Sequence, residues 1–226
     1  SGMMLETNEH MELSAYNKTR RSLISGTVSN GQRHVTRRTM AWVGVKKNLM
    51  IPFKFSNHAT RIVPTQTDLT TLMNNPGPHV LCPTGSVRDV FLASSYNQLD
   101  LITTVSPWVT LPNTESYYAN GNYGFTTRSH EMLKDALDAL QATGFDFNEF
   151  DTDNDGFIDA IGFLHSGYGA EWGGTAADGA YYTNRIWSHK WALYSLLGGK
   201  WTSTSGKSVY NYHISPSIWG KSGSDI

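Results

Sequence analysis

Asp151, Asp153 and Asp155 alternate along the chain, Gly156 follows the third, and Asp159 closes the run. Like charges this close repel one another unless a cation holds them. A hard dication with several oxygen ligands is the natural partner. Alternate residues of a tight loop turn inward, which points Asp151, Asp153 and Asp155 at one centre. Gly156 takes the sharp turn, the carbonyl of Phe157 adds an oxygen, and Asp159 completes the set. Magnesium tolerates fewer protein ligands, so calcium is the expected ion. The competing reading is an acidic surface turn that binds nothing.

The run matches the first half of an EF-hand loop and departs from the second. Position twelve, where a bidentate glutamate belongs, is Gly162. The following residues, 158–165, read as a buried strand. The expectation is a calcium loop leading into a strand, not a helix-loop-helix sensor.

Other chemistry is thinner. A zinc-peptidase helix needs H-E-x-x-H, which sets two histidines on one face with a glutamate to polarise bound water. The nearest candidate, His130-Glu131, has Lys134 at the fifth position, and a cation there would repel zinc. His130 and Glu131 therefore read as surface residues of a helix's first turn. His165, His189 and His213 fall on three separate expected strands; they could converge on zinc or serve as hydrogen-bonded core and edge residues. Cys82 reads as a buried thiol, Ser86 as a helix cap, and no G-x-S-x-G elbow is present. Trp172, Trp187, Trp191 and Trp201 are open to two readings, a sugar or peptide cleft and plain core anchors.

The elements that would position these groups are legible in part. The strongest helix spans 126–143, with Met132, Leu133, Ala136, Leu137 and Leu140 on one apolar face and Gly144 to stop it. A short helical patch covers Asp68 to Met73. Ser86 and Asp89 have capping-box spacing before Val87, Val90 and Phe91, which share a helical face. Strands are expected at 48–55, where Pro52 suggests an edge, at 96–105 with an extension from Trp108 to Leu111, and at 208–214. Residues 117–124 and 167–174 read as glycine-rich loops, the second with little rigidity of its own.

The 226 residues suit one large domain, or one domain (41–226) with a polar, basic arm (1–40). Arg20-Arg21 and Arg37-Arg38 make a pro-segment or processing linker the sharper reading of that arm. Asn17-Lys-Thr19 is a glycosylation sequon. A formal net charge of −1 implies neither nucleic acid nor an anionic membrane as partner. One cysteine excludes an internal disulfide, and no apolar run is long enough to span a bilayer. Ser1-Gly2 before Met3 reads as a tag-cleavage scar, so no leader is legible. A calcium loop favours the calcium-rich exterior, and the expected localisation is secreted or extracellular.

Several separated segments together resemble one family. They are G-S-V-R-D-V from Gly85 with S-Y-N-Q-L-D-L from Ser95, then W-V-T-L-P from Trp108 with Tyr117-Tyr118. F-D-T-D-N-D-G-F-I-D from Phe150, H-S-G-Y-G from His165 and I-W-S-H-K-W from Ile186 follow in order. The chain resembles the secreted zinc metallopeptidases related to bacterial immune inhibitor A. The resemblance implies an α+β, zincin-like domain: a mixed sheet with packed helices, and a peptide or protein substrate along an edge strand. It implies structural calcium at Asp151, Asp153, Asp155 and Asp159, in agreement with the residues themselves. Gly167, Tyr168 and Gly169 would correspond to part of the substrate-binding edge.

In that family the H-E-x-x-H helix follows the segment matching 208–220, and it is not among these 226 residues. No catalytic residue is therefore carried over. The chain is expected to be the N-terminal part of a zinc-dependent endopeptidase domain, inactive alone, with zinc bound only in the full-length domain. The alternative is a calcium-stabilised, peptidase-like binding module. Without the zinc helix, an apolar patch is expected near 158–165 and 186–193, filled by oligomerisation or by the arm.

Overall fold

A computed structural model of the chain describes residues 43–125, 127–193, 200–221 and 224–225. The dibasic pairs, the sequon and the proposed arm lie outside these residues.

The central sheet is mixed. Its main path is β2 (Leu99–Val105), β1 (Gly44–Lys54), β4 (Ala160–His165), β8 (Asn211–Pro216) and β5 (His189–Ala192). The first four run parallel, and β5 pairs antiparallel with β8 at the edge. A short β3 (Val109–Thr110) continues the β2 side of β1. Register sets Ile51 beside Phe163 and Phe163 beside Ile214, an apolar row across three strands.

Helices cover both faces. On one, α4 (Thr127–Ala142) packs Met132, Leu133, Ala136, Leu137 and Leu140, all fully buried, against Leu49, Ile51, Phe53 and Phe163. This is the apolar face read from the sequence. Gly144 ends the segment at φ +82°, a conformation glycine adopts without cost. On the other face, α1 (Gln66–Asn74) and α2 (Val87–Ser94) meet Met50, Val105 and Leu164 through Leu69, Met73 and Val87. Both helices begin with a complete capping box, Thr65 with Asp68 and Ser86 with Asp89. Each cap contributes about 1 kcal/mol. Arg88 clasps Asp100 with two hydrogen bonds, tying α2 to β2.

Four expectations are corrected here. Pro52 lies in an interior strand, not at an edge. Met50 and Lys54 offer their carbonyls to Ser106 and Leu111, so Pro52, between them in the alternation, also faces the β2–β3 side. That side has no ladder between Val105 and Val109, and a residue without an N–H is tolerated there. Val90 and Phe91 are exposed, because α2 presents only Val87 to the core. Residues 115–119, assigned partly to a loop, form the short helix α3 (Glu115–Ala119), capped by Thr114. Finally, β4 is an interior strand with Ile161 to His165 buried, and Ile186 is buried too. Of the large apolar side chains in the expected patch, Trp187 and Trp191 are the exposed ones.

Candidate functional site

The acidic loop is pinned at both ends before any ion is considered. Asp159 N–H donates to the Phe150 carbonyl, and Ile158 N–H donates to Ser208. Ser208, in β7 (Ser208–Val209), which pairs antiparallel with β6 (Trp201–Thr202), donates back to Gly156. Two left-handed residues, Asn154 at φ +58° and Gly156 at φ +88°, curl the chain between these anchors.

The curl brings Asp151, Asp153 and Asp155 together, with one carboxylate oxygen of each within 4.8 Å of the others. Oxygens on opposite sides of one calcium lie about 5 Å apart, so the three fit a single ion. Backbone amides brace them: Asp155 N–H donates to Asp151 Oδ1 at 3.1 Å and Gly156 N–H to Asp151 Oδ2 at 3.0 Å. Lys207 Nζ donates to Asp151 Oδ2 at 2.7 Å. Burial alone would raise the Asp151 carboxyl. Lys207 and the two amides outweigh it and hold the group below the usual carboxylate range.

Asp159 is placed differently. Its carboxylate accepts from the backbone and hydroxyl of Thr152 and lies 3.9 Å from Lys46 Nζ. It braces the loop from outside the three-carboxylate group.

The strand histidines do not converge. His165 is fully buried at the end of β4. His189 contacts Tyr212 through Nε2 at 2.9 Å. His213 is exposed on the opposite face from Tyr212, lying over Gly162. Burial lowers the basicity of all three. His130 is buried rather than on the surface, packed edge-on against Tyr212, and burial takes it down to about 4. Helix α4 simply turns that first-turn position toward the sheet.

Gly167, Tyr168 and Gly169 are buried in the turn after β4. A side chain at Gly167 would collide with the Glu115 carboxylate. Ala170 N–H then donates to the Ile186 carbonyl, which ties this turn to the segment entering β5. The following loop is firmer than its glycines suggest. The fully buried Arg185 donates to the carbonyls of Gly173 and Gly174 at 2.8 and 3.0 Å. The tryptophans disperse. Trp201 is buried and donates to Asp138, Trp172 pairs with Trp219, and Trp187 leans on Tyr123 and Phe125. Cys82 is buried, as expected.

A second group went unseen in the sequence: His58, Glu115 and Asp178 also bring ligand atoms within 4.8 Å of one another. Their residues come from three distant segments and share no local motif. The one available signal was Glu115 directly after the helix-capping Thr114.

The described residues form an α+β domain, a mixed sheet with helices packed on it, and this is consistent with a peptidase domain. Residues 83–220 match the family described as immune inhibitor A peptidase M6, catalytic domain, and the chain belongs to that metallopeptidase family. Immune inhibitor A of Bacillus thuringiensis subsp. alesti is 31% identical over 108 residues, which is 40% of this chain. The matched stretch is 15% of that protein's length.

Proposed function

We propose that this chain forms part of a secreted, zinc-dependent endopeptidase domain of zincin-like architecture, with structural calcium in the loop 151–159. The family match across 83–220, which includes that loop and the strands flanking it, carries the reading. Asp151, Asp153 and Asp155 supply the calcium oxygens, the Phe157 carbonyl adds one, and Asp159 closes the loop. Held there, the ion fixes the start of β4, the strand beside β1 at the centre of the sheet.

The edge strand β5 is the proposed support for a peptide substrate, which would add to it as a further strand. Gly167, Tyr168 and Gly169 contribute from beneath, through their tie to the segment entering β5. Zinc would supply an activated water for attack on the peptide carbonyl. The two helical histidines that hold such an ion are not among these 226 residues, and no catalytic step is assigned to any of them. The chain alone is therefore inactive in this reading.

The test is to read the gene beyond the codon for Ile226 and assay the longer product. An H-E-x-x-H motif a short way downstream, with casein hydrolysis that a chelator abolishes and that residues 1–226 lack, is the expected result. Unrelated sequence there, with no hydrolysis by the longer product, would favour the calcium-stabilised binding module instead.

A further inference from the structure

The fold buries a polar cluster where β1 and β4 end. His58 belongs to a short 3-10 turn after β1 and is 4% exposed; Glu115 opens α3 and is 2% exposed. The Glu115 carboxylate lies 3.7 Å from His58 Nε2 and 4.0 Å from His165 Nδ1. Both separations are too long for hydrogen bonds. Glu115 Oε1 is buried with no hydrogen-bond partner. Native proteins leave few such atoms, and an ion is one of the usual reasons.

The spacing suits two ligands of one ion. Bonds of about 2.1 Å in a tetrahedral zinc site put neighbouring ligands roughly 3.4 Å apart. His58 is oriented for this role. Ser166 Oγ accepts from Phe55 N–H at 3.2 Å and lies 3.1 Å from His58 Nδ1. In the tautomer that donates Nδ1–H to Ser166, Nε2 keeps its lone pair and faces Glu115. Metal-bound histidines are held in this way, one ring nitrogen on the ion and the other donating.

Asp178 supplies a third ligand and the access route, its side chain being 21% exposed. Arg61 pairs with Asp178 Oδ2, and Ala180 N–H donates to Oδ1. Each oxygen retains a second lone pair. His165 is excluded as a ligand because its Nδ1 accepts from Gly167 N–H at 3.2 Å. Gly167 itself leaves the space that the Glu115 carboxylate fills.

We propose that His58 Nε2, Glu115 and Asp178 bind one zinc ion, with a water in the fourth position. The two carboxylates offset the dication's own charge, and the guanidinium of Arg61 stays on Asp178 outside the ligand set. The site is separate from the acidic loop and uses no H-E-x-x-H motif, so it stands whether or not the peptidase reading does. It also reverses the sequence-based expectation that these residues bind no zinc tightly.

The test uses the whole chain, stripped by chelator, returned to excess calcium so that the acidic loop is filled, then equilibrated with zinc and gel-filtered. Mass spectrometry of the metal should find one zinc per chain. Asp178→Asn and His58→Gln should each weaken zinc binding at least tenfold, while Asp153→Asn leaves it unchanged. Asp178 is partly exposed, so its variant carries the test if His58→Gln fails to fold, with the melting curve as the check. No zinc on the unmodified chain, or equal zinc on Asp178→Asn, overturns the proposal. Loss of zinc in Asp153→Asn also overturns it, since the ion would then sit in the acidic loop.

Discussion

The acidic loop and the buried cluster solve opposite problems. In the loop, contiguous carboxylates are braced by their own backbone amides and by Lys207 and Lys46. Asp153 and Asp155 face solvent, so their charges are screened. In the cluster, Glu115 and His58 are enclosed and stand apart by more than a hydrogen bond. A loop can tolerate the loss of its ion because water replaces it. A buried carboxylate has no such substitute, and its environment falls on stability directly. Mutations in the cluster should therefore act on the whole fold, and those in the loop on calcium and local order.

The largest effect is expected from Gly167→Ala. Its methyl group would overlap the Glu115 carboxylate, which is buried and would have to shift to admit it. A loss of about 3 kcal/mol in chemical denaturation is expected; a change within experimental error would show the cluster to be loosely packed. Next comes the pH dependence of the metal-free chain. Burial pushes Glu115 up to about 8, so its contribution is full below about 4.5 and is lost as pH rises through 8. His58 and His165 run the other way. Burial holds them down to about 4 and about 3, so their contribution is present above 6.5 and is lost as pH falls through those values. Replacing Glu115 by glutamine removes only the first trend. Relative to the unmodified chain, the Glu115→Gln variant should gain about 2 kcal/mol between pH 5.5 and pH 7. A parallel pair of stability profiles would mean that Glu115 is already ionised and compensated.

The contrast also explains what the sequence could reveal. The loop was legible because its ligands are near neighbours and D-x-D-x-D-G is a local pattern. Helix α4 was legible because five apolar residues recur at helical spacing. The place of β1 was not. Pro52 argues for an edge, and only the break between β2 and β3 shows why an interior strand accepts it. His130 defeats local reasoning similarly, because the face it shares is decided by the sheet beneath. The buried cluster is the extreme case. His58, Glu115 and Asp178 meet only when the ends of β1, α3 and a distant loop are in place, and no spacing in the chain encodes that meeting.

Within the loop, Asp153→Asn should lower calcium affinity at least tenfold, as measured by calorimetry, since calcium affinity follows the count of charged ligands. Calcium should raise the melting temperature of the unmodified chain. At a hundredfold excess over Kd the expected gain is about 2.7 kcal/mol. An unchanged melting curve on chelation would return the loop to the reading of an acidic turn that binds nothing.

The smallest effect separates the two regions most sharply. Lys207 reaches Asp151 Oδ2 across the mouth of the loop and supplies one positive charge where calcium would supply two. The lysine and the ion therefore compete for the same oxygen. Lys207→Met should cost the calcium-free chain about 1 kcal/mol, because Asp151 loses its counter-charge and keeps only the amides. The same change should tighten calcium binding by roughly fivefold, since displacing a lysine is no longer part of the reaction. Opposite signs in the two states are the signature of an internal cation standing in for the ion. Equal destabilisation with and without calcium would mean that Lys207 packs against the loop without competing for its site. The surroundings of Glu115 differ: Arg61 is engaged with Asp178, and the buried Arg185 uses one nitrogen on the carbonyls of Gly173 and Gly174 and keeps Nε and Nη1 without a hydrogen-bond partner among the described residues.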